Sequence, residues 1–170
     1  SRNNMQIEEK IANLCIRHGV TVSTAESCTG GLVAGTLINA PGISAVYQEG
    51  YVTYSNEAKQ KLLQVPADIL EKYGAVSHQT AFAMAEGCAK AAGSDFSVAT
   101  TGIAGPDGGT KEKPVGLVYI GCCAKGDTRT WKKQYSGSRL EVRTQAVQDA
   151  LKFLYERLQE YFETNGGSSI

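Results

Sequence analysis

Histidine is scarce in this chain: its 170 residues include only His18 and His78. Neither sits in a motif, so a cysteine–histidine pair or a serine–histidine–acid triad has little to be built from. No histidine–carboxylate spacing suggests a metal site, and no metal or other cofactor is expected. An excess of one charge is also missing. Seventeen Lys and Arg balance seventeen Asp and Glu, leaving no basic stripe for nucleic acid and no global attraction to an anionic membrane. No apolar run approaches the about 18 residues of a membrane span, and no charged-then-apolar export signal opens the chain. A cytoplasmic protein without nucleic acid or membrane among its partners is expected. The cysteines (Cys15, Cys28, Cys88, Cys122, Cys123) are odd in number and lack C-x-x-C spacing, as suits reduced thiols used as small apolar residues.

An apolar content of 42% in 18.1 kDa suits one compact domain. It is expected over 4–162, with 1–3 and 163–170 as disordered ends. Helical spacing of Ile7, Ile11, Leu14 and Cys15 predicts a helix over 4–18 that stops at Gly19. A strand over 20–25 runs into Glu26-Ser27-Cys28-Thr29-Gly30-Gly31, followed by a small-residue helix to about 39. A second strand at 49–54 precedes a helix over 56–64 with Ser55 at its N-cap. Pro66 opens a short helix that Gly74 closes, and Ser77 caps a long one over 78–92. A strand at 96–101 leads into a glycine-dense loop reaching Pro114. Two strands, 115–124 and 128–135, flank the turn Lys125-Gly126-Asp127, and a capping box Ser138-Arg139-Leu140-Glu141 starts the last helix, to about 162. This alternation predicts an α/β protein, a three-layer α/β/α sandwich with a mainly parallel sheet and an antiparallel hairpin.

In such sheets, ligands sit beyond the carboxyl ends of the strands. Three polar segments fall there: 26–31, 54–59 and 101–109. Ser27, between strand and helix, fits either a nucleophile whose oxyanion is held by the amides of Thr29, Gly30 and Gly31, or a helix cap. Cys28 is a rival nucleophile that lacks a histidine partner. With histidine excluded as base, lysine is the candidate. Lys59, one turn after Ser55, could reach back toward Ser27 with a pKa lowered by burial, or be a solvated lysine. Tyr54 could relay a proton or bond the transition state, or be a rim aromatic. The loop carrying Thr101, Gly102, Gly105, Asp107, Gly108 and Gly109 suits close approach of a phosphate, with Asp107 on ribose hydroxyls, but equally a flexible connector. Its pattern is neither of the common nucleotide-binding glycine motifs. Arg139 and Arg143, one turn apart, could clamp a phosphate or simply face solvent.

Ala25-Glu26-Ser27-Cys28-Thr29-Gly30-Gly31, Tyr54-Ser55-Asn56-Glu57-Ala58-Lys59, Gly74-Ala75-Val76-Ser77, Gly102-Ile103-Ala104-Gly105-Pro106-Asp107-Gly108-Gly109, Lys113-Pro114-Val115-Gly116 and Gly137-Ser138-Arg139 with Arg143 resemble, in that order, the CinA C-terminal family. The resemblance covers about residues 7–160. It implies an α/β/α fold, a homodimer, and nicotinamide-nucleotide amidase activity, in which the pyridine mononucleotide is the small-molecule partner. Nicotinamide mononucleotide and water would give nicotinate mononucleotide and ammonia. It further implies serine–lysine catalysis, with the nucleophile at Ser27, the lysine at Lys59 and the tyrosine at Tyr54. Phosphate and ribose contacts carry over to 101–109, Arg139 and Arg143. Ser138 replaces a frequent aspartate and Gln64 a frequent glycine of that family. The family's separate N-terminal domain has no counterpart in these motifs, so its activities are not carried over. The alternative is a non-catalytic nucleotide-binding or regulatory module tied to competence or DNA damage.

Overall fold

The computed structural model describes residues 4–164. Along the chain run α1 (Ile7–His18), β1 (Val22–Glu26), α2 (Leu32–Leu37), a 3-10 turn (Ile43–Ala45), β2 (Tyr47–Val52), α3 (Asn56–Leu63), α4 (Ala67–Tyr73), α5 (His78–Ala92), β3 (Phe96–Gly102), β4 (Leu117–Ala124), β5 (Asp127–Gln134) and α6 (Arg139–Thr164). Local chemistry sets most of these limits. Gly19, at φ 65°, ends α1 in the left-handed conformation that glycine adopts without steric cost. Ser55 Oγ accepts from the Ala58 N–H at 3.0 Å and Ser77 Oγ from the Thr80 N–H at 3.0 Å, each cap being worth about 1 kcal/mol. The capping box closes in both directions: the Ser138 N–H donates to Glu141 Oε1 at 2.8 Å and the Glu141 N–H to Ser138 Oγ at 3.2 Å.

The five strands lie in the order β2-β1-β3-β4-β5. β1 pairs in parallel with β2 and β3, whereas β3–β4 and β4–β5 are antiparallel. Helix α5 packs across all five strands, and α3 and α4 pack against it, Leu63 and Leu70 sharing its core with Ala25 and Ala99 of the sheet. Helices α1, α2 and α6 pack together on the opposite face. Alternate strand residues feed the two cores: Val98 joins Leu151, Leu154 and Leu158 in one, and Ala99 joins Met84, Ala85 and Cys88 in the other. Each fully buried leucine contributes roughly 1.5–3 kcal/mol. All five cysteines are buried free thiols. Among the described residues no helix is long and apolar enough to cross a membrane.

Several boundaries differ from the expected ones. Two consecutive left-handed glycines, Gly30 at φ 57° and Gly31 at φ 106°, delay α2 until Leu32. The second strand lies at Tyr47–Val52 instead of 49–54, and its end comes early because the Lys59 amine takes the carbonyls of Thr53 and Tyr54 out of the ladder. The hairpin turn is two residues, with Lys125 at φ 50° and Gly126 at φ 87°, the twist that suits strand pairs. Helix α6 continues through Glu163 and Thr164, which were expected to be disordered. The same expectation for 1–3 and 165–170 lies outside the described residues.

Candidate active site

Register places the ends of the three parallel strands level, since Glu26 pairs with both Val52 and Thr100. The next residue of each strand therefore opens at one place: Ser27, Thr53 and Thr101. The Ser27 N–H still donates to the Thr100 carbonyl at 3.0 Å and the Thr53 N–H to the Glu26 carbonyl at 2.8 Å, so Ser27 is held by the sheet itself.

Lys59 reaches this point from the first turns of α3. Its side chain is 1% exposed, and its Nζ lies 3.1 Å from Ser27 Oγ, 2.9 Å from the Thr53 carbonyl and 3.2 Å from the Tyr54 carbonyl. That set of partners serves both protonation states. An ammonium donates to all three oxygens; a neutral amine donates to the two carbonyls and accepts from the Ser27 hydroxyl. Burial lowers the Lys59 pKa below the ordinary 10.5, with the facing Cys28 opposing that shift. The same dryness disfavours the Cys28 thiolate: burial pushes its thiol up to about 12.

Glu26 has a role the sequence reading passed over. Its buried carboxylate accepts from Thr29 Oγ1 at 2.6 Å and from the Val33 and Ala34 N–H groups at 2.8 and 3.0 Å. It thus occupies the amino end of α2, and Thr29 is further fixed by Thr100 Oγ1 at 2.7 Å. The one available signal was a carboxylate ending an otherwise uncharged strand. The Gly30 N–H, expected among the oxyanion donors, is instead taken by the Ser27 carbonyl at 3.1 Å. The N–H groups of Thr29 and Gly31 bond no other described residue.

Arg139 and Arg143 lie at the start of α6, and their guanidinium groups are directed at protein oxygens. Arg139 donates to the Gly105 carbonyl at 2.7 Å and to the Tyr54 phenol at 3.0 Å. Arg143 donates to the carbonyls of Cys28 at 3.0 Å and Thr29 at 3.3 Å. One helix thereby ties all three strand-end segments together. Tyr54 is 61% exposed at the mouth, its ring held by Arg139; it meets Lys59 through its backbone carbonyl and not through its phenol.

The glycine loop is more structured than a connector and less open than a cradle. Thr101 Oγ1 donates to the Ala75 carbonyl at 2.7 Å, joining the loop to the α4–α5 connection. A Cβ on Gly102, Gly105 or Gly109 would lie 2.6, 2.4 or 2.7 Å from Val118 or Val115, so three of the loop's glycines permit packing against the start of β4. Gly108 and Asp107 are exposed at the tip, where Asp107 bonds no other described residue.

Fold and site together define a three-layer α/β/α protein with a buried serine–lysine pair at the carboxyl ends of its parallel strands. The family model for the CinA C-terminal domain matches residues 4–158. A relative from Clostridium novyi (strain NT), which carries a competence-damage inducible name, is 58% identical over 152 residues, 89% of this chain and 37% of that protein. The crystal structure of the competence damage-inducible protein A of Klebsiella pneumoniae subsp. pneumoniae MGH 78578 is similar at TM-score 0.88 and 37% identity, covering 91% of this chain and 96% of that one. The competence/damage inducible protein of Agrobacterium tumefaciens is similar at TM-score 0.83 and 44% identity, covering 90% and 96%. The chain belongs to the CinA C-terminal domain family. It spans about 37% of the length of the curated relatives it matches.

Proposed function

We propose that the chain is an amidohydrolase that deamidates nicotinamide mononucleotide to nicotinate mononucleotide, with Ser27 as nucleophile and Lys59 as base. The observation that carries the chemistry is the 3.1 Å approach of a buried lysine amine to a serine hydroxyl with no histidine in reach. The choice of substrate follows from the family resemblance.

Neutral Lys59 takes the Ser27 proton directly, while the Thr53 and Tyr54 carbonyls keep its lone pair aimed at the hydroxyl. Ser27 Oγ attacks the carboxamide carbon, and the Thr29 and Gly31 amides receive the oxyanion. Lys59 returns the proton to the leaving nitrogen, and ammonia departs from a nicotinoyl ester on Ser27. Water, deprotonated by Lys59, then attacks that ester, and Lys59 returns the proton to Ser27 Oγ as the acid is released. Tyr54, held at the rim by Arg139, bonds the substrate at the mouth, and the free edges of Arg139 and Arg143, together with Gly102, Gly105, Asp107, Gly108 and Gly109, face the ribose phosphate. A second copy of the chain, and no nucleic acid, is the expected macromolecular partner.

The test is ammonia release from nicotinamide mononucleotide by the purified protein and by Ser27→Ala. Wild-type turnover with loss of at least about 100-fold in the variant is expected. Equal rates would remove Ser27 from the chemistry, and ligand-induced stabilisation without any ammonia would favour a binding module.

A further inference from the structure

Lys59 sits on a helix of eight residues, and that helix packs on α5 where α5 lacks a side chain. A Cβ placed on Gly87 would lie 2.0 Å from the Leu63 carbonyl oxygen and 3.0 Å from its carbon, so the last turn of α3 touches the backbone of α5 directly. Leu63 is one turn beyond Lys59, and the Lys59 carbonyl itself closes that end by accepting from the Val65 N–H at 3.2 Å. α5 cannot recede from α3, because it is seated as closely on the sheet. A Cβ on Gly121 of β4 would lie 2.4 Å from the Ala81 carbonyl. A continuous chain of backbone contacts thus runs from the central sheet through α5 to the helix carrying Lys59.

We propose that Gly87 is a positioning residue of the site, its missing side chain setting the depth at which α3 seats and hence the separation of Lys59 Nζ from Ser27 Oγ. This rests on the serine–lysine reading of that pair. Any β-carbon at position 87 lifts the end of α3 by at least about 1 Å, a misplacement that costs on the order of 100-fold when it falls on reacting groups. Ser27 and Thr53 are bonded into the sheet ends through their N–H groups and do not follow, so the 3.1 Å contact of the amine with the hydroxyl lengthens. The same lift admits water to Lys59 and relaxes the burial that lowers its pKa.

The experiment is the rate at which a fluorophosphonate labels Ser27 as a function of pH, in which Ser27 Oγ displaces fluoride and Lys59 takes the proton. In the wild type this rate should rise along a limb absent from Lys59→Met. Gly87→Ala should label about 10- to 100-fold more slowly, with the limb displaced to higher pH. Leu154→Ala, which opens the core of the opposite layer, should lower stability and leave the rate per folded molecule and the limb within about two-fold. If Gly87→Ala is partly unfolded, the comparison is made in trimethylamine oxide, which favours the compact state. A wild-type rate and limb in Gly87→Ala, or the same changes in Leu154→Ala, would overturn the proposal. Labelling needs no nucleotide, so a protein that labels as described but releases no ammonia loses the substrate and keeps this inference. A wild type with no Lys59-dependent limb loses the serine–lysine reading and Gly87's role with it.

Discussion

Replacing Lys59 with Met tests the chemistry and the physics of the pair at once. The two side chains have similar length, but Met has none of the hydrogen bonds that Nζ makes at 2.9, 3.1 and 3.2 Å. Loss of a positioned base lowers kcat by about 10²- to 10⁴-fold. Stability responds in two opposed ways. The buried Thr53 carbonyl loses its donor, at about 1–3 kcal/mol, while the part-buried Tyr54 carbonyl can turn to water. Against this, a desolvated amine is removed. The balance depends on pH, because burial holds the folded-state Lys59 below its ordinary value of 10.5. Between the lowered value and 10.5 the unfolded chain binds more protons than the folded one, so folding gains with rising pH, by up to about 1.4 kcal/mol per pH unit. Below that window the wild type carries the full cost of burying its charge, and above it the cost is gone. Wild-type stability relative to Lys59→Met should therefore climb with pH and level off beyond 10.5. Ammonia release gives the first quantity and urea unfolding from neutral to alkaline pH the second. Turnover within about ten-fold of wild type, or a stability difference that falls as pH rises, would refute the assignment of Lys59 as a desolvated base.

Cys28→Ala should keep turnover within about two-fold, because a thiol pushed up to about 12 is protonated at neutral pH; a large loss in steady-state rate would return Cys28 to the chemistry. Glu26→Gln places an amide where the Val33 and Ala34 N–H groups need an acceptor, so an unfolding free energy lowered by about 1–3 kcal/mol, read as a lowered urea midpoint, and a reduced kcat are expected. An unchanged midpoint would show that the carboxylate is dispensable. Gln64→Gly relieves a left-handed C-cap at φ 56° and should stabilise by about 1 kcal/mol in a thermal melt. A lowered Tm would contradict that account.

The elements most legible in the sequence were those set by neighbours in the chain. Ser55, Ser77 and the Ser138–Glu141 box act within one turn, and α5 was read with the observed limits, His78–Ala92. Boundaries slipped where a distant residue decided them. The carbonyls of Thr53 and Tyr54 leave the strand because Lys59 claims them, and Leu117 starts β4 late because Gly116, at φ 94°, lies against the Tyr135 carbonyl. Neither effect has a local signature.

The candidate site divides along the same line. Scarcity of histidine leaves lysine as base by elimination, and Lys59 lies within reach of Ser27. Arginine, by contrast, invites a phosphate reading wherever two stand a turn apart, and spacing alone does not show what they face. Arg139 and Arg143 face carbonyls that arrive from residues 105, 28 and 29, more than thirty positions away. They can serve ligand and scaffold together, since a guanidinium has five donors and each here spends two. Glu26 was passed over for the opposite reason: its partners at positions 29, 33 and 34 are close in sequence, but only the turn made by Gly30 and Gly31 brings their donors back onto it. The glycines that resemble a ligand cradle thus first build the scaffold that commits the first amides of α2 to Glu26 and leaves those of Thr29 and Gly31 without a described partner.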